Sequence, residues 1–145
     1  QVSDPQNVGA IIRSAFAFKM DALALSQTNS PVESSSMSKA SSGTIEKLKI
    51  IELSNMSRAI RKLQDANFHV YGLANGGYGS VLDLEKEDGN VAVIVGSEGK
   101  GLRRLTSEKV DQLLKIPINP DSESLNVSNA ASISMFQLQK YIIKN

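Results

Sequence analysis

Cysteine is absent from this 145-residue chain, which excludes disulfides and thiolate chemistry and fits a reducing compartment, so a cytoplasmic location is expected. With no cysteine and a single histidine, the usual donor set of a structural zinc site is missing and no metal is expected. That histidine, His69, falls in a strand pattern and reads as a packed or edge residue rather than a base. No apolar run approaches the roughly 20 residues of a membrane-spanning helix, so no membrane partner is expected. A recognisable signal peptide is also lacking. An excess of either charge is missing as well. Lys+Arg 16 against Asp+Glu 15 leave a net charge of +1, so any affinity for a polyanion has to come from local patches or from a separate module. Two candidate patches are Arg58, Arg61, Lys62 and Lys100, Arg103, Arg104, although solvated helix faces are the commoner explanation of such clusters. No repeat of fixed period is visible, and the one biased segment, the serines from Ser34 to Ser38, reads as connecting chain.

What is present is the make-up of one globular domain: 41% hydrophobic and 21% charged residues over a length too short for two ordinary domains. Asp4 or Asn7 can cap a helix, Pro5 suits a first helical position, and the spacing predicts a helix from about Val8 to Lys19. Strands are predicted at Ala22–Leu25, Leu48–Leu53, Phe68–Leu73, Val91–Val95 and Leu113–Ile116. A helical turn near Met37–Ala40 is expected within the serine-rich stretch. Further helices are predicted at Met56–Ala66 and Val127–Ile143. The continuous apolar run at Val91–Val95 is of the kind found in a central parallel strand. Strands alternating with helices indicate an α/β domain built on a parallel sheet. The start at Gln1-Val2-Ser3-Asp4, which enters the first helix pattern at once, suggests a piece of a longer chain.

Three segments carry the chemistry. In Gly96-Ser97-Glu98-Gly99-Lys100-Gly101, three glycines after the most apolar strand let a ligand reach backbone groups. The segment is neither a Walker loop nor a GxGxxG fingerprint, and a plain strand-to-helix turn explains it about as well. In Asp4-Pro5-Gln6-Asn7-Val8-Gly9-Ala10-Ile11-Ile12-Arg13, the mid-helix Arg13 has Gly9 and Ala10 one turn earlier, so the surface beside it is cleared of bulk. A solvated surface arginine is the ordinary alternative, and Asn7 is explained by capping alone. In Ile116-Pro117-Ile118-Asn119-Pro120-Asp121-Ser122-Glu123-Ser124-Leu125-Asn126-Val127, a short strand runs through a proline-marked loop into a helix. Capping accounts for Ser124 or Asn126 as well as catalysis does.

Taken together and in this order, the three segments resemble the motifs of the SpoU (TrmH-like) RNA 2'-O-ribose methyltransferases over nearly the whole chain. The resemblance implies a SPOUT-type α/β knot, a parallel sheet flanked by helices with a C-terminal trefoil knot. It implies that S-adenosyl-L-methionine (SAM) binds at Gly96, Ile116 and Leu125, and that Asn7, Arg13, Glu98, Ser124 and Asn126 form the catalytic pocket. Arg13 is then either a general base or, as the cost of deprotonating any arginine favours, the group that orients the ribose hydroxyl and stabilises the developing alkoxide, with Glu98 holding Arg13 or the loop.

The segments Ser42–Glu46, Leu102–Thr106 and Ser124–Asn126 look most like the RlmB-type branch, which methylates a guanosine of 23S ribosomal RNA; transfer RNA is the alternative substrate. Residues 1–145 would be the catalytic domain, lacking a first strand and an N-terminal RNA-binding extension, and would pair as a homodimer through the last helix. Departures from the family pattern stand at Lys19, at Asn119-Pro120 and at Asn129, where glycine, a small-Gly pair and an apolar residue are expected. An RNA-binding module of the same fold without catalysis, and a Rossmann-type nucleotide-binding domain, are the readings from other classes.

Overall fold

A computed structural model describes residues 2–26, 47–84, 89–97 and 99–142. The expected turn near Met37–Ala40 and the segment Ser42–Glu46 lie outside the described residues, as does Glu98. Helix α1 (Pro5–Ala17) is followed by strands β1 (Leu23–Ser26) and β2 (Ile50–Leu53), helix α2 (Met56–Asp65) and strand β3 (Phe68–Leu73). After them come the short strand β4 (Gly79–Ser80), a 3-10 turn at Val81–Asp83, strand β5 (Asn90–Ile94), the single helical turn α3 (Arg104–Ser107), strand β6 (Gln112–Lys115) and helix α4 (Val127–Ile142). The fold class is α/β with parallel sheets. β1 pairs in parallel with β2, and a four-stranded parallel sheet runs in the order β4-β6-β3-β5.

The first helix begins ahead of the apolar pattern, because the Asp4 carboxylate accepts the Gln6 N–H at 2.9 Å and Pro5 enters the first turn. That choice of cap releases Asn7 into the helix, where it is buried. At the other end Lys19 takes φ +56°, the left-handed position beyond the helix, where the family pattern has glycine. Of the two other departures, one has a local explanation. Asn119 accepts the Asp121 N–H on its side-chain oxygen and the Ser122 N–H on its backbone oxygen, closing a turn. Asn129 lies on the exposed face of α4, together with Ile133 and Phe136.

The core has two parts joined by α4. Val8, Ile11, Ile12 and Ala15 of α1 pack with Ala131 and Met135 of α4, and Tyr71, Val81, Leu84 and Leu114 pack with Leu138 one turn further on. Ser14 and Ser132 bring the helices together through hydroxyls 2.7 Å apart. The apolar run expected as a central strand is instead at an edge: β5 pairs only with β3 among the described strands, and its residues 91–94 are half-buried. Its hydrophobicity is accounted for by packing, since Val91 and Val93 join the second cluster and the following Val95 the first. His69 lies in β3 against the Tyr71 ring, with centroids 4.5 Å apart, and its buried Nε2 has no hydrogen-bond partner among the described residues.

Candidate active site

Because β3, β5 and β6 are parallel and in close register, their C-terminal ends open on one edge of the sheet, the place where open α/β sheets take their ligands. Three chain segments leave there and enclose a cavity of about 290 Å³. The first is Leu73–Asn75 after β3, the second the glycine loop from Gly96 to Leu102, and the third the stretch that contributes Ile116, Ile118, Ser124 and Leu125 before α4.

The glycine loop is a closed turn. Ser97 and Gly101 exchange both backbone hydrogen bonds, at 3.1 and 2.9 Å, and Gly99 and Gly101 hold φ of +76° and +62°, conformations open to glycine at little cost. A Cβ on Gly96 would stand 2.0 Å from the carbonyl carbon of Gly101, so this glycine is required by the turn itself. On Gly99 or Gly101 a Cβ would meet nothing within 4 Å. Both line the cavity, so backbone is left bare toward open space that a ligand can fill. The apolar side chains of Ile116 and Leu125 face the same space. Backbone polar groups, apolar walls and a volume near the lower end of small-molecule sites are what an adenosyl group needs, and the residues present therefore fit SAM.

The third segment is tied in at both ends. Asn75 donates from Nδ2 to the Glu123 carbonyl at 3.1 Å. Asn126 caps α4: its Oδ1 accepts the Ser128 N–H at 2.9 Å and the Ser128 hydroxyl at 2.6 Å. With the oxygen committed to a backbone donor, the Asn126 amide nitrogen is turned to Asn7, donating to Oδ1 at 3.1 Å. The first and third motifs thus meet through one amide pair, 119 residues apart in the chain. Capping holds for Asn126 and leaves Ser124 free of it.

Of the residues expected at the site, Gly96, Ile116, Ser124 and Leu125 line the cavity, and Asn7 with Asn126 forms its buttress. Arg13 is not brought to them. It lies on the exposed face of α1 and does not line the cavity. Glu98 lies outside the described residues. Sequence reading missed Asn75 and its neighbours after β3; the signal available was their position just past a parallel strand. It also missed Ser107 at the end of α3, a helical turn too short to leave a periodic pattern.

Residues 1–136 match the SpoU rRNA Methylase family. Over 136 residues, 94% of this chain and 54% of the relative, the chain is 38% identical to the 23S rRNA (guanosine-2'-O-)-methyltransferase RlmB of Xanthomonas campestris pv. campestris. It is 40% identical to the protein of the same name from Xylella fastidiosa, over the same shares. The chain spans about half the length of the curated relatives it matches. The crystal structure of the AdoMet-bound rRNA methyltransferase from Sinorhizobium meliloti superposes with a TM-score of 0.90 at 24% identity, over 99% of this chain and 55% of that one. From the glycine turn, the capped third segment and the family match, the chain belongs to the SpoU rRNA methylase family.

Proposed function

We propose that this chain is the catalytic domain of a SAM-dependent RNA 2'-O-ribose methyltransferase, acting on a guanosine of 23S ribosomal RNA in the cytoplasm. The observation that carries the reading is the cavity at the sheet edge, walled by the bare turn Gly96–Gly101 and by Ile116 and Leu125. RlmB-named relatives at 38 and 40% identity support the choice of ribosomal RNA over transfer RNA. Bound SAM supplies an already activated sulfonium methyl group. The protein's share is alignment and the hydroxyl proton. Holding two reactants in line is worth about 7–11 kcal/mol, whereas a positioned base contributes typically 10²- to 10⁴-fold, so positioning dominates. Backbone groups of the glycine turn and the apolar walls of Ile116 and Leu125 hold the cofactor. Ser124, exposed at the cavity rim, faces substrate, and the Asn7–Asn126 pair fixes the third segment behind it.

An arginine side chain stays protonated at neutral pH, and removing its proton costs more than a positioned base returns. Arg13, exposed on α1 and outside the cavity of its own chain, would therefore act as a cation only where pairing of two copies brings it to the other copy's site, orienting the hydroxyl or a neighbouring phosphate and stabilising the alkoxide. Arg13→Lys, measured by single-turnover transfer across pH, should lose most of its rate with SAM affinity unchanged and no rescue at high pH. A rate that climbs to the wild-type level with pH would assign Arg13 as the base.

The same reading makes the chain a homodimer, supported by exposed Phe16 on α1 and exposed Ile133 and Phe136 on α4, an apolar surface of the sort that marks interfaces. The reading also implies the trefoil knot as a family feature. Calorimetric titration with SAM tests the core of the proposal. Binding with thermal stabilisation is the expected result; no heat and no stabilisation at millimolar SAM in a folded chain would leave the non-catalytic binding module instead.

A further inference from the structure

Tyr78 is 99% exposed, more than any other large apolar or aromatic side chain among the described residues. Its backbone, in contrast, is held on both sides. Gly77 donates to the Ala74 carbonyl at 3.0 Å and packs so closely on β6 that a Cβ there would lie 2.6 Å from the Leu114 carbonyl carbon. Gly79 is the register partner of Leu114, and a Cβ on it would come within 2.8 Å of the Leu114 side chain. Two glycines therefore clamp the chain against β6 while the tyrosine between them projects into solvent. Leu114 also lines the cavity, and Asn75, just before this glycine clamp, lines it too. The next residue but one, Ser80, pairs with the exposed Lys115, which places a cation on the same edge.

A fully solvated aromatic ring gains nothing for folding, and an anchored backbone lowers the cost of ordering it against a ligand. The geometry points to Tyr78 as a stacking platform for an unpaired nucleobase of the RNA substrate, beside the methyl-transfer cavity, with Lys115 available to the adjoining phosphate. This assignment rests on the RNA methyltransferase reading above. Sequence-specific RNA recognition splays bases out of loops and single strands onto aromatic rings, and stacking tolerates any base because each has a π-face.

The test compares wild type, Tyr78→Ala and Tyr78→Phe for affinity to a short single-stranded adenosine-rich RNA, alongside SAM titration and light scattering. Alanine should weaken RNA binding by about 5- to 150-fold, the range expected for one stacked base. Phenylalanine should stay within about 2-fold of wild type, since the ring is what stacks. SAM affinity and oligomeric state should not change. Because the chain has no tryptophan, Tyr78→Trp provides a single reporter, whose fluorescence should be quenched by the RNA and not by an abasic ribose-phosphate oligomer of equal length. Equal quenching by both oligomers would mean a phosphate contact and would overturn the platform. So would an alanine variant that binds RNA like wild type, or one that changes the oligomeric state, which would make this edge a protein contact. If wild type binds SAM and methylates ribose while alanine keeps both RNA affinity and rate, the platform fails and the enzyme reading stands. If wild type binds neither SAM nor RNA, both fall.

Discussion

Replacing Asn126 by aspartate is the sharpest available test of how the third motif is held. The substitution keeps the oxygen that accepts the Ser128 N–H and hydroxyl, at 2.9 and 2.6 Å, and exchanges the amide nitrogen for a second oxygen. That oxygen faces Asn7 Oδ1 across a contact that is 3.1 Å in the native pair. An attraction becomes an acceptor–acceptor contact next to a side chain only 8% exposed, and a buried polar group left without its partner costs about 1–3 kcal/mol. For a chain of this size that is a fall in melting temperature of roughly 2–12 °C. Asn7→Asp is the control. It preserves an acceptor toward the Asn126 nitrogen, so its loss should be smaller than that of Asn126→Asp. Protonation tests the pair as well, since a carboxyl shielded from water at either position is best tolerated in its neutral form. In the Asn126→Asp variant the protonated carboxyl can donate to Asn7, so the neutral form is favoured by folding. The deficit should be smallest well below the ordinary carboxylate pKa of about 3.9 and should grow as pH rises past it. Urea titrations of wild type and both variants at acid and neutral pH measure this. Equal losses in the two variants, or an Asn126→Asp deficit indifferent to pH, would refute the assigned amide orientation and the coupling of the first and third motifs.

Other positions give independent outcomes. Lys19→Gly removes the strain of a left-handed lysine at φ +56° and should stabilise the chain by about 1 kcal/mol, read as a higher urea midpoint at unchanged slope; no gain would show that the turn carries no strain. Gly96→Ala drives a Cβ to 2.0 Å from the Gly101 backbone. It should open the turn, abolish SAM binding in calorimetry and cost about 1–3 kcal/mol of stability as an overpacking defect, whereas retained affinity would mean that the turn is not part of the site. Phe136→Asp, on a side chain 59% exposed, should leave secondary structure intact by circular dichroism and convert a dimer to monomer in light scattering; an unchanged dimer would place the interface elsewhere.

The strands were legible because β3, β5 and β6 are short apolar runs between polar breaks, and the observed elements fall within a few residues of the predicted ones. The cavity walls Gly96, Ile116 and Leu125 were legible through the resemblance of the motifs to the family, and strand pattern alone pointed only to the glycine segment after Val91–Val95. The edge position of β5 was not, because an apolar run reports burial by neighbours without saying whether they are strands or helices. Nor could the pairing of Asn7 with Asn126 be read. Each residue alone has a sufficient explanation in capping, and only the three-dimensional course of the chain decides that Asp4 caps α1 and releases Asn7. The short strand Gly79–Ser80 and the turn Arg104–Ser107 left no signal because two and four residues are below any period.

The central claim, methyl transfer to a ribose hydroxyl, is tested most directly by incubating the protein with SAM carrying a labelled methyl group and 23S ribosomal RNA, then digesting the RNA with alkali. Cleavage by alkali requires a free 2'-OH, so a methylated ribose survives as a dinucleotide. The account predicts label in alkali-resistant dinucleotides containing guanosine, and none with Gly96→Ala. Label released in mononucleotides would show base methylation, and a folded, SAM-binding protein that labels no RNA would contradict the assigned reaction.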